Sequence, residues 1–261
     1  MTTPAPKPRI RIREATRADL SEILDVHFEA FGPDPMNQLM YPAGVTENAR
    51  EMFGHSLFPP ESEAAADENK HGETRIFVAE LLADDTADDV PVEIVAYAKW
   101  QIFRHERPET EWNVEDPPMT TEILGEGVDA EVYNAFLGGM HRVRKTHSRG
   151  DASVNLGILA CRSTRQRLGA ASALMRWGTE LADELGVPSY LESSPYGYPV
   201  YKKFGYQDID VLDLPVTELY GAVKTNDRKW GEDSAVELAG PLAPGTYRSA
   251  IMKRPAKATA V

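Results

Sequence analysis

The stretch from Leu156 to Tyr206 constrains the fold more than any other part of the chain. It opens with an apolar run of strand length, Leu156 to Cys161, and a basic turn leads from this run into a long helix. One face of that helix carries small or apolar residues at the spacing i, i+3, i+4, i+7, which is typical of a buried face. Gly186 and Pro188 predict its end, and a second strand follows from Ser189 to Glu192. This succession of strand, helix and strand predicts an α/β architecture.

The turn ahead of the helix has the features of a phosphate-binding turn. Unpaired N–H groups at a helix N-terminus attract anions, and small residues let a phosphate approach the backbone. No Gly-Lys-Ser/Thr follows and no Gly-x-Gly-x-x-Gly is present, so the sequence predicts phosphate binding without triphosphate chemistry. The small residues are Gly169, Ala170, Ala171 and Ser172, and mobile positive charge is expected from Arg162, Arg165 and Arg167.

The same turn carries a family resemblance. The run Gln166-Arg167-Leu168-Gly169-Ala170-Ala171 fits the Gln/Arg-x-x-Gly-x-Gly/Ala signature of the GCN5-related N-acetyltransferases (GNAT). The segments Tyr190 to Pro195 and Gly197 to Tyr206 are similar to the strand and helix that follow in that family, and the chain looks most like its fungal-type members. The specific likeness covers the last part of the core, whereas the first half matches only in element order. Ser163-Thr164-Arg165 departs from the family's usual Pro-x-Tyr.

The resemblance implies a fold and a co-substrate. The fold is an α/β (α+β) GNAT fold, with a central mixed, mostly antiparallel twisted sheet that splays between its fourth and fifth strands and has helices on both faces. The co-substrate is acetyl-CoA. Its pantetheine arm would pair with the strand edge at Leu159, Ala160 and Cys161, with the Leu159 N–H as the expected oxyanion donor. The residues that would hold its pyrophosphate are Gln166, Arg167, Leu168, Gly169, Ala170, Ala171 and Ser172.

The resemblance also implies catalytic residues. Tyr201 stands four residues before Gly205, where the family often has a tyrosine beside the thioester sulfur, and is the expected general acid; a packing role is the alternative. Glu192 ends a core strand and is the expected general base, although it could instead cap the following turn. Asp151 and His141 are alternative bases. Cys161 is not expected to act as a nucleophile, because no histidine is adjacent to it in sequence.

These assignments predict an N-acetyltransferase that moves an acetyl group to a primary amine, of a small molecule, by direct attack in a ternary complex. Two alternatives stay open: a non-catalytic acyl-CoA-binding module that serves as a sensor or partner subunit, and a protein or peptide N-acetyltransferase. A nucleotide-binding doubly wound domain is disfavoured by the missing glycine fingerprint. Whether the protein is a monomer or a homodimer is left open.

Composition excludes several partners. A net charge of -13 argues against nucleic acid, because phosphate backbones require a basic surface. The single cysteine suggests a reducing compartment, hence the cytoplasm. No apolar run approaches the roughly 20 residues of a membrane span. No metal site is predicted, since His105, Glu106, Glu109 and Glu111 lack a ligand spacing.

The remaining chain predicts a single domain from 9 to 254, with an insertion around 104–150 and flexible tails at 1–8 and 255–261. A surface segment at 61–72 is expected to be mobile, and 83–89 is expected to be a hairpin turn. His27 is expected in the core or cleft wall. The resemblance implies that the loop at 31–42 lines the acceptor pocket through Phe31, Met36, Met40 and Tyr41, and ordinary loop packing is the alternative. A helix is expected from Asp129 to Thr146.

Overall fold

One seven-stranded sheet forms the centre of the computed structural model, which describes residues 9–60, 72–83, 91–226 and 228–257. The strand order across the sheet is β1-β2-β3-β4-β5-β7-β6. The last strand of the sequence, β7, therefore lies between β5 and β6. The strands are β1 Ile10–Glu14, β2 Glu73–Leu82, β3 Pro91–Phe103, β4 Ser153–Cys161, β5 Ser189–Ser193, β6 Gln207–Leu214 and β7 Tyr247–Arg254.

Helices of very different length connect the strands. Those ahead of β4 are α1 Leu20–Phe31, α2 Pro35–Met40, α3 Glu47–Leu57, α4 Glu109–Trp112, α5 Thr121–Leu124, α6 Ala130–Tyr133 and α7 Gly139–Ser148. Those after β4 are α8 Ala170–Leu185, α9 Tyr198–Lys203, α10 Val216–Tyr220 and α11 Val236–Ala239. Within the described residues, no helix combines the length and the apolar character that crossing a bilayer requires.

The sheet splays between β4 and β5. Every neighbouring pair of strands is antiparallel except this one, which is parallel. Pairing between them stops at Leu156↔Leu191, so the rest of β4, from Gly157 to Cys161, has an edge without a strand partner. The predicted mixed, mostly antiparallel GNAT fold with a gap between its fourth and fifth strands is therefore confirmed.

A β-bulge lies at the start of the gap. On the β3 side Trp100 pairs with Leu156 and Lys99 pairs with Ile158, so Gly157 is an extra residue in β4. A bulge bends its strand and changes which side chains share a face. It therefore turns the second half of β4 relative to the half that still pairs with β5.

Helices cover both faces of the sheet. Leu174 and Met175 of α8 pack with Phe77 on one face, whereas Ile23 of α1 packs with Ile76 on the other. Because neighbouring residues of a strand point to opposite faces, the two helices lie on opposite sides. Helix α7 lies on the α1 side, and the predicted helices on both faces are confirmed.

Gly178 permits the close packing of α8 on the sheet. A Cβ atom at this position would lie 2.3 Å from Trp100 Cη2, and Trp100 is fully buried. We expect Gly178→Ala to destabilise the protein by about 1–3 kcal/mol through overpacking, whereas a helical Gly→Ala change ordinarily stabilises by up to about 1 kcal/mol. Gly54 of α3 is the matched control, because its added Cβ would be 3.4 Å from the Leu20 side chain, an ordinary contact.

Urea unfolding of the two variants checks this expectation. Gly54→Ala should leave the free energy of unfolding unchanged or raise it. An equal rise in the free energy of unfolding of Gly178→Ala would show that α8 does not pack tightly against Trp100.

Two sequence-based expectations need correction. The segment at 31–42 is not a loop throughout, because α2 forms within it; Pro35 stands in its first turn and Asp34 caps it by accepting the Met36 N–H at 2.8 Å. The predicted helix from Asp129 to Thr146 is interrupted by a π-helical turn, Asn134–Gly138, between α6 and α7. The predicted tail at 1–8, most of the segments at 61–72 and 83–89, and the end of the tail at 255–261 lie outside the described residues.

Candidate active site

The open edge of β4 presents two backbone N–H groups to the gap. The Arg162 N–H donates to the Val95 carbonyl of β3 at 2.9 Å. Since successive N–H groups of a strand point in alternate directions, the Ala160 N–H also points towards β3. Those of Leu159 and Cys161 therefore point into the gap, where a strand-like ligand can pair with them.

The turn beyond β4 brings its backbone amides to the surface. Arg167 and Gly169 adopt positive φ angles of 65° and 90°, and helix α8 begins directly afterwards. Gly169 provides no side chain to cap the helix, and the first helical bond runs from the Ala173 N–H to the Gly169 carbonyl. The amides before Ala173 therefore have no acceptor within the helix. A Cβ at Gly169 would meet nothing within 4 Å, so the space in front of these amides is open.

The side chains of the turn leave this space accessible. Gln166, Arg167 and Gly169 are exposed, whereas Ala170 is buried beneath the helix start. The seven residues expected to hold a pyrophosphate span the turn and the first turn of α8: Gln166, Arg167, Leu168, Gly169, Ala170, Ala171 and Ser172.

The arginines near the turn differ from expectation. Arg162 donates to Glu29 of α1 at 2.9 Å, and Arg165 is paired with Glu93. Neither side chain is therefore a mobile charge. Arg167 is exposed and has no ion pair with any residue that the structure describes, so it is the cation that remains available to an incoming anion.

Tyr201 of α9 is buried and neutral. A Cβ at Gly197 would lie 2.7 Å from the Tyr201 ring, so this close approach requires glycine. Burial raises the pKa of Tyr201, and the charges of Tyr206 and Glu192 raise it further. The hydroxyl has no hydrogen-bond acceptor among the described residues, in contrast to that of Tyr206, which meets Ser189 Oγ at 2.6 Å. Tyr201 therefore holds a proton that it can donate to a ligand.

Glu192 has a partner that sequence reasoning missed. Arg144 of α7 donates from Nε to Glu192 Oε1 at 2.5 Å, and both side chains are only 14% exposed. The carboxylate is thus held over the open end of the β4–β5 pair. The signal in the sequence was a basic run in the predicted helix, but nothing indicated that this helix lies against β5.

The alternative bases are placed less favourably. Asp151 accepts the Tyr190 hydroxyl at 2.8 Å, which ties it to β5. The pKa of His141 is lowered by burial and then by the neighbouring Arg144 charge. His27 was expected in the core or the cleft wall. Its Nδ1 lies 2.7 Å from the Tyr97 hydroxyl, and burial lowers the pKa of His27 to about 3, so the ring is neutral.

Cys161 is not an activated thiol. Burial raises its pKa, and the charge of Glu29 raises it further. Its Sγ is 3.7 Å from the Arg165 carbonyl oxygen, to which the S–H donates. A thiol in this state is a poor nucleophile.

Aromatic rings line the α1 side of the sheet near the second half of β4. Phe28 lies 5.9 Å from Tyr41 and 5.8 Å from Phe53, and these three rings are partly exposed. Phe31 packs beside His27 at 4.7 Å between ring centroids. These residues form an apolar wall, which we call the aromatic wall: Phe28, Phe31, Tyr41 and Phe53.

Met36 and Met40 do not belong to this wall. Both are buried, at 0% and 7% exposure, in a separate cluster with Phe136 and Tyr247. The expectation that they line a pocket is therefore wrong, because α2 turns them into the core. Elsewhere in the described chain, no three His, Cys, Asp or Glu side chains are arranged so that they could hold a metal ion.

Known structures share this architecture. Arylalkylamine N-acetyltransferase 2 from Aedes aegypti superposes with a TM-score of 0.54 at 11% identity, over 95% of this chain and 99% of that one. The mosquito arylalkylamine N-acetyltransferase like 5b superposes with a TM-score of 0.51 at 12% identity, over 94% and 99%. At these identities the likeness establishes the fold. The sequence matches no protein-family model and no curated protein.

Proposed function

We propose that this chain, whose fold is that of the GCN5-related N-acetyltransferases, transfers an acetyl group from acetyl-CoA to the primary amine of a small molecule. One observation carries the proposal. The unpaired edge of β4 leads directly into a turn with free amides and open space at Gly169. A thioester with a peptide-like arm and a pyrophosphate fits both parts at once.

The donor would bind along this continuous surface. The N–H and C=O groups of Leu159 and Cys161, which point away from β3, pair with the amides of the pantetheine arm as an added strand would. The amides from Gln166 to Ser172 hold the pyrophosphate at the positive end of α8. Arg167 adds a mobile charge beside it.

The residues at the gap then act on the reacting groups. The Leu159 N–H donates to the thioester oxygen, where negative charge develops as the amine nitrogen attacks the carbonyl carbon. When the carbon–sulfur bond breaks, Tyr201 donates its proton to the departing sulfur. Glu192 takes the proton that the amine loses, through Oε2, because Oε1 is bonded to Arg144. Acetyl transfer and both proton transfers are then complete.

Glu192 is the proposed base, and its amide variant tests the assignment. We expect Glu192→Gln to lower kcat/KM by about 100-fold or more, because a positioned general base contributes about 10²–10⁴-fold. Asp151→Asn is the matched control, since it removes the other carboxylate near β5 and should change kcat/KM far less. A larger loss in Asp151→Asn would move the base role to Asp151.

The acceptor would enter on the face that α1 and α7 share. The aromatic wall favours an amine with an apolar or aromatic body. Helix α7 covers β5 on this face, which favours small molecules over protein chains. Two structures with this fold are named arylalkylamine N-acetyltransferase 2 and arylalkylamine N-acetyltransferase like 5b, which agrees with this proposal. The single cysteine and the acidic charge fit a cytoplasmic enzyme.

Isothermal titration with acetyl-CoA, CoA and ATP tests the donor site. We expect acetyl-CoA and CoA to bind and ATP not to bind. A thiol-release assay with a panel of primary amines then tests transfer. Binding without release for any amine would support a non-catalytic acyl-CoA-binding module, and the absence of binding would remove the proposal.

A further inference from the structure

Two buried polar atoms lack partners on the face of the sheet opposite α8. Asn155 of β4 is 2% exposed, and its Oδ1 has no hydrogen-bond partner. Arg107 Nε is buried and likewise lacks a partner. An unpaired buried donor or acceptor costs about 1–3 kcal/mol, so such atoms ordinarily meet a partner.

Both atoms lie on the same face. Val154 packs with α8, so Asn155, the next residue of β4, points to the opposite side. Phe103 pairs with Ser153 and shares this side, because Ile102 packs with α8. The Arg107 guanidinium lies 3.8 Å from the centroid of the Phe103 ring. The unpaired donor and the unpaired acceptor therefore lie on one side of the sheet, where the charge of Arg144 also acts on Arg107.

This region also holds a positive charge that is compensated only in part. Arg144 of α7 is paired with Glu192, whereas no carboxylate in the described chain lies within ion-pair distance of Arg107. Burial lowers the pKa of Arg107, the Arg144 charge lowers it further, and Glu111 offsets this only in part. A half-buried guanidinium with no ion pair to any residue that the structure describes can accept an anionic partner.

That anion is not the phosphate of the donor. Asn155 and Cys161 are six residues apart on one strand, about 20 Å at about 3.3 Å per residue, and the phosphate turn follows Cys161. Glu192 and Arg144, in contrast, lie just past Leu191, where the gap begins. The region therefore adjoins the reacting end of the proposed site rather than its phosphate end.

We propose that Arg107, Arg144 and Asn155 form an acceptor subsite for a carboxylate, and that the substrate is a primary amine that also carries a carboxylate, as a free amino acid does. The inference rests on the proposed function. The guanidinium N–H groups donate to the carboxylate oxygens, and Asn155 Oδ1 accepts an N–H of the amine or an O–H of a bound water. When an amine without a carboxylate binds, the Arg107 guanidinium has no ion-pair partner. The site therefore discriminates against such amines.

Binding of matched ligand pairs tests this subsite without any need for turnover. The probes are free L-amino acids and the amines that differ from them only by loss of the carboxylate, such as phenylalanine with phenethylamine and ornithine with putrescine. Titration is done on the full chain with and without saturating CoA. We expect at least one amino acid to bind about tenfold or more tightly than its amine. Equal or tighter binding of the amine in every pair would overturn the inference.

Two variants locate the effect. Arg107→Gln should reduce the preference for the amino acid by about tenfold, and Asn155→Asp should reverse it, because a second carboxylate then faces the first. Arg142→Gln is the matched control, since Arg142 is exposed on the same helix as Arg144 and donates to the Asn134 carbonyl at 3.4 Å. An unchanged preference in both test variants, with unchanged thermal unfolding, would contradict the subsite.

The outcomes separate this inference from the proposed function. Binding of an amino acid without binding of CoA would retain the carboxylate subsite and remove the acetyltransferase assignment. Binding of CoA with no preference for any amino acid would do the reverse.

Discussion

Replacement of Gly169 by glutamate is expected to weaken the binding of acetyl-CoA by about 100-fold or more, a loss of about 3 kcal/mol. Gly169 has a φ of 90°, which disfavours any L side chain, and its missing Cβ leaves open the space proposed for the pyrophosphate. Glutamate would fill that space and add a negative charge opposite the phosphates. Titration of both proteins with acetyl-CoA measures the loss.

The other end of the same helix provides a matched control. Gly186 caps α8 with a φ of 66°, and a Cβ there would also meet nothing within 4 Å. Gly186→Glu therefore imposes a similar backbone strain, far from the proposed phosphates. If both variants lose the same affinity, backbone strain and not the loss of a phosphate site is responsible, and the turn does not hold the donor.

Replacement of Tyr201 by phenylalanine is expected to lower kcat by about 100- to 1000-fold, because the departing sulfur loses its proton donor. The expected dependence on pH follows from the raised pKa of Tyr201. The hydroxyl is protonated below this pKa and cannot donate above it, so the activity that Tyr201 supports is present at neutral pH. It falls only as the pH rises past about 10, the ordinary pKa of tyrosine. The variant should lack this alkaline decline.

Profiles of kcat against pH for the two proteins measure the effect. Tyr206→Phe serves as a control, because Tyr206 is also buried beside α9 but its hydroxyl is bonded to Ser189. That variant should lose stability with little change in the alkaline limb. A Tyr201→Phe enzyme with an unchanged kcat and an unchanged limb would show that Tyr201 only packs the helix.

The turn proposed to hold the pyrophosphate was predictable as a structure because its signal is local. Gly169, the small residues after it and the apolar face of α8 stand within one short stretch, and each follows from backbone geometry or helical spacing. The same holds for β4 and β5, whose apolar runs lie on either side of the helix. The Gly157 bulge was not predicted, since a single glycine within an apolar run does not reveal which strand pairs beside it.

The acceptor side was predicted less well because its contacts are distant in sequence. Arg144 and Glu192 are 48 residues apart, and only the placement of α7 against β5 joins them. Met36 seemed suited to a pocket wall, but α2 turns it into a cluster with Tyr247, more than two hundred residues away. Periodicity identifies the buried face of an element and leaves open which other element covers it.

The position of β7 has a consequence for the synthesis of this protein. Strand β5 carries Glu192, and its pairing with β4 ends after three residues. On its other edge, β5 pairs with β7 along the whole length of β5. The ribosome makes β7 after all the other described strands, so a nascent chain that already contains the phosphate turn still lacks the partner that holds β5 in place. Domains generally fold as units during synthesis. Because the seven strands form one sheet, the gap between β4 and β5 is expected to take its final form only when β7 has emerged.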